Sequence, residues 1–356
     1  MSKKTKRVAL SGKENGIRIE SRILEERIQQ AVRDGARELS ITAFGQHGIG
    51  GRLPASMHEP VTVKVTGTSG QRLGSLGFPG TRIEVEGPAS NDIGWLNAGA
   101  EIIVHGNAGD GCCNAMAQGK VKIGGCTGAR AMTMTKRNPR LTDPELWVLD
   151  YVGDYFAEFM AGGIAVVCGN DLHDRDNVLG YRPCVGMVGG RIYFRGPHLG
   201  YSQADATLAE ITDEDWAWLT ENLKTFLKDI GKSGLLKKLT KRAEWQLLVA
   251  RSPLQRLTKK RRSMAEFHRE VWDADLGRGG LIGDLTDLDR SPVPLINTGI
   301  LRRWVPVWEN RKYLAPCQAK CPTGIPVRER WKLIRQGKME QAVELAMAYK
   351  IGRAHV

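Results

Sequence analysis

Six short segments of this 356-residue chain share one pattern, in which apolar and polar residues alternate before a closing glycine. The residues four and two before that glycine are apolar in every segment, and their neighbours are often charged. Alternation with a period of two predicts a short strand with one buried face. The segments are VTVKVTG ending at Gly67, TRIEVEG at Gly87, AEIIVHG at Gly106, KVKIGG at Gly125, IAVVCG at Gly169 and RIYFRG at Gly196.

The spacing of these segments constrains the fold further, because the closing glycines are 20, 19, 19, 44 and 27 residues apart. A single short strand cannot bury its own apolar face, whereas stacked repeats bury a continuous core. The sequence therefore predicts a mainly β fold: a right-handed parallel β-helix of glycine-rich coils over residues 46–200, followed by an α-helical segment. The residues expected to point inward are Val63/Val65, Ile83/Val85, Ile102/Val104, Val121/Ile123, Ala165/Val167 and Ile192/Phe194.

The two longer spacings indicate insertions, around KRNPRLTDPELWVLDYV and NDLHDRDNVLGYRP. The second supplies Asp171, His173, Asp174 and Asp176, which could bind calcium or a carbohydrate. Without acidic partners on neighbouring repeats, we interpret it as a solvated loop. The vicinal pair Cys112–Cys113 could bind a metal, but no ligand set of the usual spacing surrounds it. We therefore predict that these two cysteines, like Cys126, Cys168 and Cys184, are packing residues.

A glycine motif follows each early strand, with the spacing Gly-x2-Gly-x3-Gly in GTSGQRLG at 67–74. It recurs in GPASNDIG, GNAGDGCC and GCTGARAM, where Ser90, Cys113 and Met132 replace a glycine. From Ile17 to Gly200, including FGQHGIGGRL at 44–53, the chain resembles the C-terminal β-helix domain of glutamate synthase, particularly its stand-alone archaeal-type form. It is also similar to a scaffold subunit of formylmethanofuran dehydrogenase. The resemblance implies a scaffold between amidotransferase and flavin-bearing synthase parts, without catalytic residues of its own.

Two helices are expected beside the repeats. In ESRILEERIQQAVRDGA, Ser21 is a plausible N-cap and Gly35 can end a helix whose apolar face caps the β-helix core, and we assign residues 1–45 to this capping helix and a lead-in strand. In TDEDWAWLTENLKTFLKDIG, Thr212 and Asp215 form a capping arrangement, and the helix ends at Gly231. The apolar faces are Leu24, Ile28 and Val32 in the first helix, and Trp216, Leu219, Leu223 and Phe226 in the second. We assign residues 201–300 to a helical and irregular linker, with Trp216 and Trp218 as packing residues.

Composition narrows the class of protein. The net charge of +13 comes mostly from the second half, in runs such as KKLTKR at 237–242. These runs could bind nucleic acid or an acidic partner, but no nucleic-acid-binding motif accompanies them, so we interpret them as solvated helical faces. The sequence shows neither a signal peptide nor an apolar run of about 18 residues that could span a membrane. Seven cysteines in such a chain favour a reducing, cytoplasmic location.

Near its C-terminus the chain carries Cys317 and Cys321 in the spacing Cys-x3-Cys-Pro. This spacing ends the ligand run of bacterial ferredoxins, but the earlier ligand positions are Arg311 and Leu314, so the segment is not a simple ferredoxin. The stretch APCQAKCPTGIPVRERWKLIRQGKMEQAVELA instead resembles the N-terminal helical iron–sulfur domain of the glutamate synthase small subunit, which dihydropyrimidine dehydrogenase also has in related form. The resemblance implies that CPTGIP leads into one helix and that a second helix follows at KMEQAVELAMAY, and we assign residues 301–349 to the start of this domain.

This resemblance implies that Cys317 and Cys321 are ligands of a [4Fe-4S] cluster whose other ligands follow further along. Two additional cysteines of many family members correspond to Glu309 and Lys312 here, so the number of clusters stays open. FAD and NAD(P)H domains are expected downstream, and FMN on a partner subunit. Residues 350–356 are expected to be an artefact, because IGRAHV translates ATC GGA AGA GCA CAC GTC, the start of a common sequencing adapter.

Together these features predict part of a glutamate-synthase-like, NAD(P)H-dependent oxidoreductase that makes glutamate from glutamine and 2-oxoglutarate. Its expected partners are the FMN-bearing synthase and amidotransferase subunits, with no nucleic acid and no membrane. The alternative is a non-catalytic scaffold of another redox complex, similar to that of formylmethanofuran dehydrogenase.

Overall fold

The computed structural model describes residues 6–173, 175–252 and 327–348. The chain divides into two units, Met1–Thr258 and Lys259–Val356. None of the described helices is both long and apolar enough to cross a membrane.

One large sheet of 11 strands dominates the first unit. Its strands are β1 (Lys6–Ser11), β4 (Ala36–Phe44), β5 (Val61–Thr68), β6 (Thr81–Val85), β7 (Ala98–Val104), β8 (Gln118–Ile123), β9 (Glu145–Val148), β10 (Ala161–Val167), β11 (Gly189–Arg195), β12 (Ala206–Ala209) and β13 (Trp245–Ala250). The order is β1-β4-β5-β6-β7-β8-β9-β10-β11-β13-β12, and all neighbours are parallel except the last two pairs. A small hairpin joins β2 (Lys13–Glu14) to β3 (Ile17–Arg18). The fold is therefore mainly β, built on a mostly parallel sheet.

Apolar residues of successive strands lie opposite each other in ladders across this sheet. Val63 pairs with Ile83, and Ile83 pairs with Ile102 on the next strand. All twelve predicted inward residues are fully buried: Val63, Val65, Ile83, Val85, Ile102, Val104, Val121, Ile123, Ala165, Val167, Ile192 and Phe194. The predicted buried face of the strands is thus confirmed.

The parallel strand β9 lies inside the first insertion and was not predicted from the sequence. Leu146 and Val148 of β9 pair with Val121 and Ile123, so they continue the two apolar ladders. In the earlier strands a glycine stands two residues after the second ladder residue, but after Val148 this position is Asp150. The strand lacked the closing glycine on which the repeat had been recognised.

The glycine motifs between the strands form a second repeating structure. We call it the turn ladder and define it as segments 48–52, 72–76, 92–96, 111–115, 130–134, 155–159 and 182–186. The first, third and fifth residue of each segment has a positive φ angle. In the five middle segments the first and fifth residues donate their N–H toward the following segment, as Arg72 does to Asn91 O at 2.9 Å. The third residue donates to the preceding segment, as Gly74 does to Ile49 O at 2.9 Å.

The third residue of each segment faces the core. The lack of space for a side chain there explains why several segments have glycine at this position. A Cβ on Gly74 would lie 2.4 Å from Ile102 Cδ1, which is closer than any real contact. Cys113 and Met132 occupy the same position with φ of 61° and 58°, close to the 65° of Gly74. These two departures from glycine, like Ala157 and Cys184 at the same position of later segments, therefore keep the corner conformation.

Helix α1 (Ser21–Arg33) packs against β1 and β4, at the first edge of the sheet, and buries the predicted residues Leu24, Ile28 and Val32. Gly35 follows the helix with a positive φ of 91°. The predicted N-cap is wrong, because Glu20 holds that position and makes no side-chain capping bond. Ser21 is the first helical residue, and its hydroxyl accepts a hydrogen bond from His47 N at 3.0 Å.

Helix α2 (Asp213–Asp229) begins with the predicted capping box of Thr212 and Asp215, and Gly231 follows its end. Short helical turns at Ser233–Leu235 and Arg242–Glu244 flank α3 (Leu236–Leu239). Strands β12 and β13, which lie within the assigned linker and extend the sheet beyond residue 200, were not predicted from the sequence. The rest of that linker, from residue 253 to 300, lies outside the described residues.

In the second unit, α4 (Val327–Arg335) and α5 (Met339–Ala348) follow each other closely, as the resemblance of this stretch predicts. Gly337 separates them with a φ of 74°, and Lys338 N donates to Leu333 O at 2.9 Å. Ala342 and Ala346 of α5 are buried, whereas Trp331, Met339 and Val343 are exposed.

Candidate interaction surface

The two predicted iron–sulfur ligands, Cys317 and Cys321, lie outside the described residues, so their role stays a prediction. Within residues 6–173, 175–252 and 327–348, no group of three or more histidine, cysteine or acidic side chains could hold a metal ion.

The cysteines of the first unit are packing residues. Cys112, Cys113, Cys168 and Cys184 are fully buried, and Cys126 is partly buried. The Sγ atoms of Cys112 and Cys113 are 3.8 Å apart within the apolar core. Burial raises the pKa of the Cys113 and Cys168 thiols, and that of Cys184 to about 12. Because the thiolate is the metal ligand and nucleophile, these three thiols are poorly suited to either role.

The inserted loop that contains Asp171, His173 and Asp176 was considered as a calcium or carbohydrate site. Its described side chains do not converge on a common point. Asp171 N donates to Asp150 Oδ1 at 3.1 Å, and Asp171 Oδ1 accepts from His173 N at 2.9 Å. Burial raises the pKa of Asp150, which anchors the start of the loop. Asp176 is exposed, and Asp174 lies outside the described residues. These contacts fit the predicted solvated loop, whose polar groups bond to their own turn.

One face of the sheet is covered by α2. The ring centroid of Trp218 is 5.7 Å from that of Trp147 and 5.6 Å from that of Tyr193. Phe226 contacts Trp147 at 5.6 Å, and both belong to a second apolar cluster between helix and sheet. Tyr193 OH also donates to Asp215 Oδ1 at 2.7 Å. Packing, as predicted, is therefore the role of Trp218.

A charged cluster fixes the end of α2 to the same face. Lys122, whose side chain is only 5% exposed, donates to Asp229 Oδ2 and to Glu101 Oε1, each at 2.5 Å. Arg82 also pairs with Glu101 and lies 3.4 Å from Asp229. Burial alone would raise the pKa of Asp229, but Lys122 and Arg82 hold it below its ordinary value. These charges neutralise one another, as partly buried ions must.

Arginines and aromatic rings lie along the outer side of the turn ladder. Arg72 lies 4.9 Å from the ring centroid of Trp95. Arg130 and Arg182 lie 5.4 and 5.9 Å from the centroid of the same ring, that of Tyr155. Tyr155 in turn contacts Tyr181 edge to face at 6.5 Å. Four of the seven first positions, Arg72, Arg130, Tyr155 and Arg182, thus contribute cations and a ring to this surface.

A line of apolar side chains runs parallel to the arginines, at the fifth position of the five middle segments. Backbone hydrogen bonds connect neighbouring members of this line. Met134 N, for example, donates at 3.0 Å to the carbonyl oxygen of Glu158, the residue before Phe159. The line becomes more exposed along the chain: Leu76, Leu96 and Ala115 are partly buried, whereas Met134 and Phe159 are each 52% exposed. Exposed aromatic, methionine and arginine side chains together are typical of protein interfaces.

A shallow groove of about 520 Å³ continues the surface beyond Arg182. Its lining includes Tyr181, Pro183, Leu199 and Tyr201. Tyr181 and Leu199 are 64% and 72% exposed. We call the outer side of the turn ladder together with this groove the ladder face.

The residues of the ladder face were not predicted from the sequence. A signal for them was nevertheless present, since Arg72, Arg130, Tyr155 and Arg182 each stand two residues before the core-facing position of a segment. The apolar line stands two residues after it. Once a repeat has been aligned, both outward positions can be read from the same alignment.

Comparison with known families agrees with this repeat. Residues 40–246 match the family model described as the GXGXG motif. The match spans β4 to β13 and includes the turn ladder from its first segment to its last. Because this match covers more than half of the 356 residues, the chain belongs to the GXGXG motif family, the domain found in the C-terminal region of glutamate synthases.

Proposed function

We propose that the chain is part of a glutamate-synthase-like, NAD(P)H-dependent oxidoreductase, in which the first unit is the scaffold. In this proposal the sheet and the turn ladder are two sides of one right-handed parallel β-helix. Support comes from the chain order, in which strands and turn segments alternate from β5 to β11. Both sets of segments are also hydrogen-bonded in sequence order.

The contrast between the two faces is the observation that carries a scaffold role. The sheet face is covered by α2 and its charges are paired, whereas the ladder face exposes rings, Met134 and two arginines that have no carboxylate partner within the described residues. Surfaces of this composition are typical of protein–protein interfaces. In such interfaces the binding energy is concentrated in aromatic and arginine side chains. The FMN-bearing synthase and the amidotransferase are the partners that we propose for it.

For the C-terminal segment we propose that Cys317 and Cys321 contribute two thiolates to a [4Fe-4S] cluster. Their Cys-x3-Cys-Pro spacing is that of cluster ligands, and α4 and α5 follow at the positions that the resemblance predicts. A cluster of this kind would carry electrons from NAD(P)H and FAD domains downstream to FMN on the partner. These electrons would reduce the imine formed from 2-oxoglutarate and glutamine-derived ammonia.

A reconstitution experiment tests the proposal. The gene, extended through its downstream sequence, is expressed with the amidotransferase and synthase genes of the same source. We expect one complex that oxidises NAD(P)H only when glutamine and 2-oxoglutarate are both present. Replacing Cys317 or Cys321 by Ser should remove iron and this activity while leaving the complex assembled. The assignment is contradicted if NAD(P)H oxidation does not require 2-oxoglutarate, or if the Ser variants contain as much iron as the wild type.

A further inference from the structure

We infer that Arg130 and Arg182 form a receptor for carboxylate side chains of a partner protein, with Met134 and Phe159 as the adjoining apolar anchor. The inference rests on the proposed scaffold function and names the chemistry of the partner at one end of the ladder face. We call the pair of arginines with Tyr155 the arginine clamp.

The arginines of the clamp differ from most others in the first unit. Arginines along this unit usually pair with a carboxylate, as Arg37 does with Glu59 and Arg195 with Glu244. Within the described residues, the guanidinium groups of Arg130 and Arg182 make neither an ion pair nor a hydrogen bond. Both are exposed, and each contacts the ring of Tyr155. Two unneutralised cations on one ring create a positive potential that a carboxylate would relieve.

Rigid backbone holds the clamp in place before any partner arrives. Arg130 N donates to Asp154 O at 2.7 Å, and Tyr155 N donates to Tyr181 O at 2.8 Å. Tyr181 N is further bonded to Asp154 Oδ1 at 2.8 Å. Because the groups beneath the clamp are fixed by these bonds, little backbone ordering is needed when a partner binds.

The neighbouring side chains favour a protein over a nucleic acid. Met134 and Phe159 are half exposed beside the clamp, and such apolar residues anchor protein interfaces. Acidic residues also recur near the first positions of the ladder, at Asp92, Asp110 and Asp154. Their charges oppose a continuous phosphate backbone, whereas a protein can place its carboxylates at the two arginines alone.

The test uses the full chain and the purified FMN-bearing synthase subunit of the same source. The dissociation constant is measured at low and at high salt for Arg130→Glu, Arg182→Glu and the control Arg140→Glu. Arg140 is exposed and its side chain also lacks a partner within the described residues, but it lies outside the turn ladder. We expect each clamp variant to bind roughly tenfold more weakly at low salt and the control to bind like the wild type. The difference should shrink at high salt, because ions screen exposed charges.

Each other outcome overturns a defined part of the account. If the wild type does not bind the synthase, the proposed function and the clamp both fail. If the wild type binds and the clamp variants bind equally well, the clamp alone is wrong. Equal weakening by Arg140→Glu would show a general charge effect and also refute the clamp. Binding of a short RNA by the wild type, lost in the clamp variants, would reassign the arginines to nucleic acid. Unchanged thermal unfolding of the variants confirms that they fold.

Discussion

The face of the sheet that α2 covers, which we call the sheet face, and the ladder face share one apolar core, but their outward side chains differ in what they contact. On the sheet face, rings such as Trp147 and Trp218 are packed against α2, and Lys122 is enclosed by carboxylates. On the ladder face, hydrogen bonds hold the backbones of Tyr155 and Arg130, and among the described residues Arg130 is exposed and Tyr155 only partly buried. Outward residues of the sheet therefore stabilise the fold, whereas we propose that those of the ladder bind a partner.

The largest loss of stability is expected in the core that both faces share. Ile102→Asp would place a carboxylate in a fully buried apolar ladder. We expect the free energy of unfolding to fall by at least about 4 kcal/mol, or the variant not to fold. Chemical denaturation measures the change, and Lys64→Asp on the exposed side of β5 is the control. An Ile102→Asp variant that unfolds like the parent would contradict the ladder assignment.

The next effect concerns the backbone of the turn ladder. In Gly74→Ala the new Cβ would lie 2.4 Å from Ile102 Cδ1, at a φ of 65° that alanine disfavours. We expect a loss of about 2–4 kcal/mol. Gly234→Ala is the matched control, because nothing lies within 4 Å of its Cβ position and its φ is not positive. Comparable melting temperatures for the two variants would show that the ladder tolerates a side chain there.

A smaller and pH-dependent effect is expected at the charged cluster of the sheet face. Because the pKa of Asp229 is lowered from its ordinary value of 3.8, its ionised form stabilises the folded state above that pH. This contribution is lost as the pH falls below 3.8 through the folded-state pKa. Asp229→Asn should therefore cost about 2 kcal/mol at neutral pH and progressively less in acid. If the denaturation midpoints of the wild type and of Asp229→Asn differ by the same amount at every pH, the ionisation of Asp229 does not contribute to stability as we expect.

The smallest effect on stability is expected for the arginine clamp itself. Arg130→Gln and Arg182→Gln remove exposed groups that bond to nothing in the described part of the chain. Each should change the free energy of unfolding by less than about 0.5 kcal/mol. Calorimetric unfolding checks this, and a large loss would mean that the ladder face supports the fold as the sheet face does.

Sequence reasoning identified the core better than the surface. The pairs at Gly-minus-four and Gly-minus-two were found because burial enforces their period along every strand. Strand β9 was missed because Asp150 stands where a closing glycine was expected, and β12 and β13 because they pair with the sheet antiparallel and outside the repeat. The clamp residues were missed because outward positions carry no fixed residue type. Their importance comes from Tyr155 and Arg182 meeting across segments 27 residues apart.

The central claim is that the ladder face binds a partner without holding the fold together. The most direct measurement combines unfolding and binding for one variant, Met134→Glu with Phe159→Glu, both of which are 52% exposed in the wild type. We predict a melting temperature within about 3 °C of the wild type and synthase binding weakened by roughly a hundredfold. Unchanged binding, or a large fall in melting temperature, would contradict the division between a structural sheet face and a binding ladder face.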